Sequence, residues 1–111
     1  MATLQSRLTV LAETSKTFAE GLATRMPADL TLEIMRRHVH EMILVSDDAL
    51  RDAIAQLLRI THNLAEGAGA ASTAAAFHLR DRLQNKKVVG IRSGGNLDLR
   101  ELSRILARSA P

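Results

Sequence analysis

The chain contains no cysteine, tryptophan or tyrosine, and its aromatic residues are Phe18 and Phe77 alone. Without cysteine it can form neither disulfides nor thiolate metal sites. No apolar run approaches the roughly 20 residues that a membrane span needs, and no segment resembles a signal peptide. We therefore expect a cytoplasmic protein with no membrane contact, whose core is built from aliphatic side chains.

The chain also lacks any cluster of like charges. The net charge is +3, from 15 basic and 12 acidic residues, and the arginines are scattered rather than clustered. With no basic block and no Tyr or Trp to stack on bases, we expect no nucleic-acid partner. The four histidines do not have metal-ligand spacing, so we expect no metal site. They are His38, His40, His62 and His78.

A chain of 111 residues is one domain at most. We divide it into an irregular N-terminal segment and loop, 1–29, and an α/β part, 30–111. In the first segment, Leu4, Leu8 and Leu11 could mark a short helix, and 13–29 is predicted to be an ordered loop. The second part is predicted to contain helices and strands in the order helix, strand, helix, helix, strand, helix. They are expected at 30–39, 42–45, 46–63, 67–84, 88–92 and from 98 onward.

The order of these elements is typical of an α/β protein with a parallel sheet. Two strands alone cannot bury both faces of such a sheet between helices. The predicted fold is therefore a partial three-layer parallel-sheet domain, part of a larger sheet. An uncovered strand edge promotes association, so we expect either a homo-oligomer or a complementing chain to cover it.

The first candidate site follows the predicted strand at 88–92. The sequence there runs into Ser93-Gly94-Gly95-Asn96, after which a capped helix begins. Ligands of open α/β sheets bind at the carboxyl ends of strands, where Ser93 would offer its hydroxyl and the glycines would allow close backbone approach. A plain tight turn from strand to helix explains the same residues equally well.

The second candidate site is Glu66-Gly67-Ala68-Gly69-Ala70 at the start of a predicted helix. Free amide groups at a helix start can face an anion or a ring substituent. The residues alone favour the simpler interpretation, which is a glycine-rich helix start with Glu66 favourably placed on the helix dipole.

Three blocks in order give the chain a resemblance to the pyridoxal-phosphate-dependent threonine/serine dehydratases, a group that includes serine racemase. The first is Thr17-Phe18-Ala19-Glu20-Gly21, similar to the family's Thr-Ile/Phe-Ala-Asp-Gly block. The second is Glu66-Gly67-Ala68-Gly69-Ala70, and the third is Arg92-Ser93-Gly94-Gly95-Asn96, similar to Leu-Ser-Gly-Gly-Asn. Glu20 replaces the usual Asp, and Arg92 stands at a usually apolar position.

The resemblance implies the C-terminal part of the larger domain of a fold-type II enzyme, with pyridoxal phosphate as cofactor. It implies that Ser93 hydrogen-bonds the pyridine nitrogen and that Gly94 shapes the turn presenting it. Gly21 would lie beside the ring, and Glu66 near the ring-nitrogen side. A serine hydroxyl can donate to an unprotonated ring nitrogen, and such a neutral ring is a weaker electron sink that suits prompt β-elimination.

The chain departs from the family in what it does not contain. It has no Ser-x-Lys-x-Arg-Gly motif for the Schiff-base lysine, no Ser-x-Gly-Asn-His loop and no tetraglycine phosphate loop. We therefore expect no catalytic residue here. We expect a C-terminal portion of a lyase that converts L-threonine or L-serine to a 2-oxo acid and ammonia, inactive unless complemented. The alternative is a non-catalytic interaction or oligomerisation module derived from that family.

Overall fold

The computed structural model describes residues 14–109, with side chains described as far as residue 108. A short 3-10 helix, Glu20–Leu22, precedes four α-helices: α1 (Asp29–His38), α2 (Asp47–Thr61), α3 (Gly67–His78) and α4 (Leu99–Ser109). The short helix predicted around Leu4 to Leu11 lies outside the described residues. Within 14–109, none of the helices has both the length and the apolarity that crossing a membrane requires.

Helix α2 has a well-defined beginning and end. The Ser46 side chain accepts a hydrogen bond from the Ala49 amide at 3.1 Å, and Asp47 and Asp48 occupy the first turn. Both features stabilise a helix N-terminus, the second through the helix dipole. The last helical residue is Thr61, and the next residue, His62, caps the helix with a left-handed φ of 57°. Ser46 is thus the N-cap of the helix predicted at 46–63, and the helix ends two residues earlier than predicted.

The core lies where α2 packs against α3 and α4. It consists of small and aliphatic side chains, because α3 contributes little besides alanine and glycine on its buried face. Ile54 from α2 and Ile105 from α4 are the largest fully buried side chains in the described part of the chain. The buried members are Ala19, Leu50, Ala53, Ile54, Ala65, Ala70, Ala74 and Ile105.

Ion pairs join α2 to α4 beside this core. Arg51 Nε donates to Glu101 Oε1 at 2.6 Å, and Glu101 is only 7% exposed. Arg104 also binds Glu101, at 3.2 Å, and Arg108 binds Asp48 at 2.7 Å. Exposed ion pairs contribute little to the free energy of unfolding. The Arg51–Glu101 pair contributes more to holding α2 against α4, because breaking a buried pair leaves an uncompensated charge.

The predicted strands at 42–45 and 88–92 are not formed within residues 14–109. A strand requires a neighbouring extended segment to accept its backbone hydrogen bonds, and neither segment has one in the described part of the chain. Leu44, Val89 and Ile91 are 75%, 93% and 78% exposed, so these apolar residues lack the burial that the prediction assumed. The parallel sheet is therefore not confirmed.

Other boundaries differ less from the prediction. The third helix was predicted to reach residue 84, but α3 ends at His78 and turns continue to Asn85, which has a φ of 59°. The apolar face that would extend α3 is missing, because charged residues dominate 80–87. In the described part of the loop predicted at 13–29 lies the 3-10 helix Glu20–Leu22, and α1 begins at the last residue of that range, Asp29.

Replacement of Ile54 by Ala tests the core. Ile54 is fully buried, so we expect Ile54→Ala to lower the free energy of unfolding by about 2–5 kcal/mol. Ile60 lies on the same helix and is 66% exposed, so Ile60→Ala is the matched control and should cost less than about 1 kcal/mol. Urea denaturation followed by circular dichroism measures both. Equal losses would contradict the assignment of Ile54 to the core.

The Arg108–Asp48 pair gives a prediction about pH. The hydrogen bond from Arg108 lowers the pKa of Asp48 below 3.8, its usual value, and the positive charges of Arg108 and Arg51 act in the same direction. A carboxyl group with a lowered folded-state pKa stabilises the fold above its unfolded pKa, and this stabilisation is lost as the pH falls through the folded pKa.

Carboxyl carbon NMR of the folded chain tests this between about pH 2 and 5, the range spanning a normal Asp titration. Arg108→Gln should raise the Asp48 midpoint. Arg100→Gln, on the same helix and without an ion pair to Asp48, should leave it unchanged. If Arg108→Gln leaves the titration midpoint of Asp48 unchanged, the Arg108–Asp48 ion pair is contradicted.

Candidate functional site

Three segments that are far apart in sequence meet at the first turn of α3. They approach so closely that glycine is required at the contacts, and we call Gly21, Gly67, Gly69 and Gly94 the glycine junction. A Cβ on Gly67 would lie 2.8 Å from Ala19 Cβ, and one on Gly69 would lie 1.8 Å from the Ser93 carbonyl oxygen. The three sequence blocks of the family resemblance are therefore in contact in the structure.

Glu66 occupies the centre of this junction. A Cβ on Gly94 would lie 2.6 Å from the Glu66 carboxylate, and one on Gly21 would lie 3.7 Å from Glu66 Oε1. The Asn96 amide donates to Glu66 Oε2 at 3.2 Å, and the Glu66 amide donates to the Gly94 carbonyl at 3.3 Å. The carboxylate therefore lies between the first and the third blocks and fixes the loop that follows Ser93.

Gly94 has a second reason to be glycine. Its φ is +55°, in the left-handed region that L side chains rarely adopt. The tight turn and the close approach to Glu66 thus both exclude a side chain at this position. The left-handed φ at Gly94 explains why a glycine stands there, and the role of this turn in presenting Ser93 to a ligand stays a prediction.

Ser93 presents its hydroxyl at an exposed position. Among residues 14–108 that hydroxyl has no hydrogen-bond partner, whereas the backbone around it is held. Ser72 Oγ donates to the Ile91 carbonyl at 2.8 Å, and the Arg92 guanidinium donates to the Leu64 carbonyl at 3.1 Å. Because the Ser93 hydroxyl has no partner among the described side chains and its backbone is held, it can donate a hydrogen bond to a ligand without first breaking one of these internal contacts.

A cleft of about 680 Å³ opens beside the junction. Its walls come from three places: the block that contains Gly21, the first turn of α3 at 66–68, and the segment 96–104. Gly21 and Glu66 line the cleft, whereas Ser93 and Gly94 do not. Glu66 connects the two groups, because its carboxylate touches the loop at Gly94 and also faces the cleft.

Sequence reasoning missed the contacts that hold the first block. Thr17 Oγ1 donates to Asp47 Oδ1 at 2.6 Å, and the Arg51 guanidinium lies 4.5 Å from the centre of the Phe18 ring. From the local sequence, Asp47 is only an acidic residue in the first turn of α2, where the helix dipole favours it. Nothing in the sequence near Asp47 indicates that it binds a residue 30 positions away. The one available hint is that Ser46 already caps the helix, which leaves the Asp47 carboxylate free to bind elsewhere.

No group of three histidine or acidic side chains in the described part of the chain could hold a metal ion. The three lysines of the sequence, Lys16, Lys86 and Lys87, do not line the cleft. The polar side chains available to a ligand at the junction are the Ser93 hydroxyl and the Glu66 carboxylate, and the cleft beside it adds others, among them Asn96, Arg100 and Arg104.

Residues 2–94 match the family model described as pyridoxal-phosphate dependent enzyme. The chain therefore belongs to this family, whose cofactor is pyridoxal phosphate. It is 40% identical over 94 residues to the L-threonine ammonia-lyase of Thermotoga maritima, covering 85% of this chain and 23% of that enzyme. It is also 40% identical over 94 residues to the catabolic L-threonine dehydratase of Escherichia coli K12, covering 83% and 29%.

Solved structures give the same family. The chain matches tomato (Solanum lycopersicum) threonine deaminase isoform 2 with a TM-score of 0.81 and 27% identity, covering 92% of this chain and 30% of that one. It matches Dictyostelium discoideum serine racemase with a TM-score of 0.74 and 30% identity, covering 88% and 31%. The chain thus spans about a quarter to a third of the proteins it resembles, and it has the fold of the corresponding portion of these enzymes.

Replacement of Gly69 by Ala tests the junction. Gly-to-Ala within a helix normally stabilises by about 1 kcal/mol. At Gly69 the added Cβ would lie 1.8 Å from the Ser93 carbonyl oxygen, so we expect the sign to reverse and the free energy of unfolding to fall by about 1–3 kcal/mol. Gly90→Ala, whose Cβ would meet Ser72 Oγ at 3.3 Å, is the control and should cost less. A stabilised Gly69→Ala chain would contradict the close approach.

Proposed function

We propose that this chain is the C-terminal portion of a pyridoxal-phosphate-dependent threonine/serine dehydratase and provides the ring-nitrogen side of the cofactor site. The observation that carries the proposal is the exposed Ser93 hydroxyl, which has no hydrogen-bond partner among residues 14–108 and stands on a backbone fixed by Glu66 and the glycine junction. The proposed reaction is β-elimination from L-threonine or L-serine to a 2-oxo acid and ammonia. The relatives named as threonine ammonia-lyase and threonine dehydratase support this reaction class.

The residues present fit the ring end of the cofactor. The glycine junction is filled by the chain's own backbone and side-chain atoms, so the space open to a planar ring is the cleft beside it, which Gly21 and Glu66 line. In this proposal, Gly21 lies beside the ring, Ser93 donates its hydroxyl hydrogen to the ring nitrogen, and Gly94 shapes the turn that presents Ser93. Glu66 fixes that turn on the ring-nitrogen side. When bound, pyridoxal phosphate would supply the electron sink for loss of the substrate hydroxyl.

The residues do not fit the other end of the cofactor. None of the three lysines lines the cleft, and the sequence contains no tetraglycine loop to hold a phosphate. We propose that a complementing polypeptide supplies the lysine and the phosphate loop, and that the chain alone has no catalytic residue. The cytoplasmic location and the division at residues 29 and 30 remain predictions within this proposal.

The same complementing polypeptide would complete the fold. The segments 42–45 and 88–92 are apolar and exposed in this chain, and each lacks a strand to pair with among residues 14–109. We propose that they become strands of a parallel sheet when that polypeptide adds its own. An interaction or oligomerisation module is the second candidate, and the exposed Val88, Val89 and Ile91 favour it because such a patch marks a contact surface.

Complementation tests the first function against the second. The chain would be mixed with the portion of the Thermotoga maritima L-threonine ammonia-lyase that it does not match. We expect cofactor binding, seen by visible absorbance, and release of ammonia from L-threonine, whereas the chain alone with pyridoxal phosphate should release none. A homo-oligomer that neither binds the cofactor nor complements would favour the interaction module.

Ser93→Ala tests the residue that carries the proposal. In the complemented enzyme it should weaken cofactor binding about tenfold, the usual effect of losing one hydrogen bond to a buried polar group. Ser103→Ala, at an exposed position of α4, is the matched control and should have no effect. Unchanged affinity in Ser93→Ala would remove Ser93 from the cofactor site.

A further inference from the structure

We propose that Asp47 is a positioning residue of the cofactor site, because it holds the block Thr17–Leu22 so that Gly21 lies against α3. The inference rests on the proposed function for the ligand, but the contacts are those of the chain itself. Asp47 touches neither the glycine junction nor the cleft. It would act through Thr17, and its effect on the ligand would be indirect.

Both carboxylate oxygens of Asp47 bind the start of the block. Thr17 Oγ1 donates to Oδ1 at 2.6 Å, and the Phe18 amide approaches Oδ2 at 3.4 Å. The Thr17 oxygen also accepts from the Ala19 amide at 3.1 Å. The charged acceptor thus binds the Thr17 side chain and the Phe18 amide directly and holds the Ala19 amide through Thr17, and charge-assisted hydrogen bonds are the stronger ones.

The hydrogen bonds continue from Thr17 to Gly21. Ala19 is 2% exposed and lies where a Cβ on Gly67 would collide with it. The Ala19 carbonyl accepts from the Leu22 amide at 2.9 Å, which closes the turn containing Gly21. The position of Gly21 against Ala68 is therefore determined by Ala19, and the backbone of Ala19 is held through Thr17 by Asp47.

The beginning of α2 is suited to this task. Ser46 caps the helix, so the Asp47 carboxylate is available to a distant segment. A negative charge is favourable at this helix end. One turn further on, Arg51 lies over the Phe18 ring at 4.5 Å and is itself held by Glu101 at 2.6 Å. Helix α2 therefore contacts two adjacent residues of the block, through Asp47 and through Arg51.

Hydrogen–deuterium exchange of the full chain tests the positioning without any ligand. In Asp47→Ala, the amides of Ala19 and Leu22 should exchange about tenfold faster, as expected for loss of a charge-assisted hydrogen bond. Amides inside α3 and α4 should not change. Asp52→Ala, the same substitution on the exposed side of α2, is the control and should leave Ala19 and Leu22 unchanged.

Thr17 provides a second route to the same result if Asp47→Ala fails to fold. Thr17→Val removes the hydroxyl at nearly constant volume and should reproduce the faster exchange. Thr17→Ser keeps the hydroxyl and should restore slow exchange. Unchanged exchange at Ala19 and Leu22 in both Asp47→Ala and Thr17→Val, or no protection of these amides in the unaltered chain, would overturn the inference.

Cofactor affinity in the complemented enzyme tests the link to the ligand. Asp47→Ala should weaken pyridoxal phosphate binding about tenfold, by the same lost interaction, whereas Asp52→Ala should not. Faster exchange with unchanged affinity would overturn the role of Asp47 in the site. If the unaltered complex binds no cofactor, the proposed function fails, and the exchange measurements still decide whether Asp47 positions the block.

Discussion

The structure depends on how closely other segments can approach the first turn of α3. At Gly67 and Gly69 no atom beyond the backbone is present, so Ala19 from one side and Ser93 from another reach backbone contact distance. The buried face of α3 contributes small residues to the core, and the larger buried side chains come from α2 and α4. The same lack of side chains brings the three blocks of the candidate site together.

Polar contacts over long sequence separations complement this apolar packing. Arg51 connects Phe18 to Glu101, and Asp47 binds Thr17, so that α2 contacts both the first block and α4. The charged groups in these contacts are at least partly buried. Such contacts fix the relative positions of segments more than they raise the free energy of unfolding. Helix α2 forms one wall of the core, and it also sets the position of a segment that lines the cleft.

The helices were predictable because each carries a local signal. Apolar residues repeat with helical spacing from Leu50 to Leu58, and Ser46 supplies a cap before the first turn. The strands at 42–45 and 88–92 were not confirmed, because a strand depends on a partner that the described residues do not contain. The residues of the candidate site were proposed from motifs and turn chemistry, and their roles stay predictions. The contacts of Thr17 and Phe18 with Asp47 and Arg51 were missed, since nothing near Asp47 or Arg51 in the sequence indicates a partner dozens of positions away.

Packing without side chains has a consequence for how this sequence can vary. At the glycine junction, the smallest possible substitution adds one carbon, and at Gly69 and Gly94 that carbon would overlap backbone or carboxylate atoms. No conservative substitution exists at these positions, because every other residue is larger than glycine. Exposed positions of α1 and the turns at 79–85 carry no such restriction. Neutral drift should therefore accumulate in those regions, and the meeting point of the three blocks should behave as a fixed element.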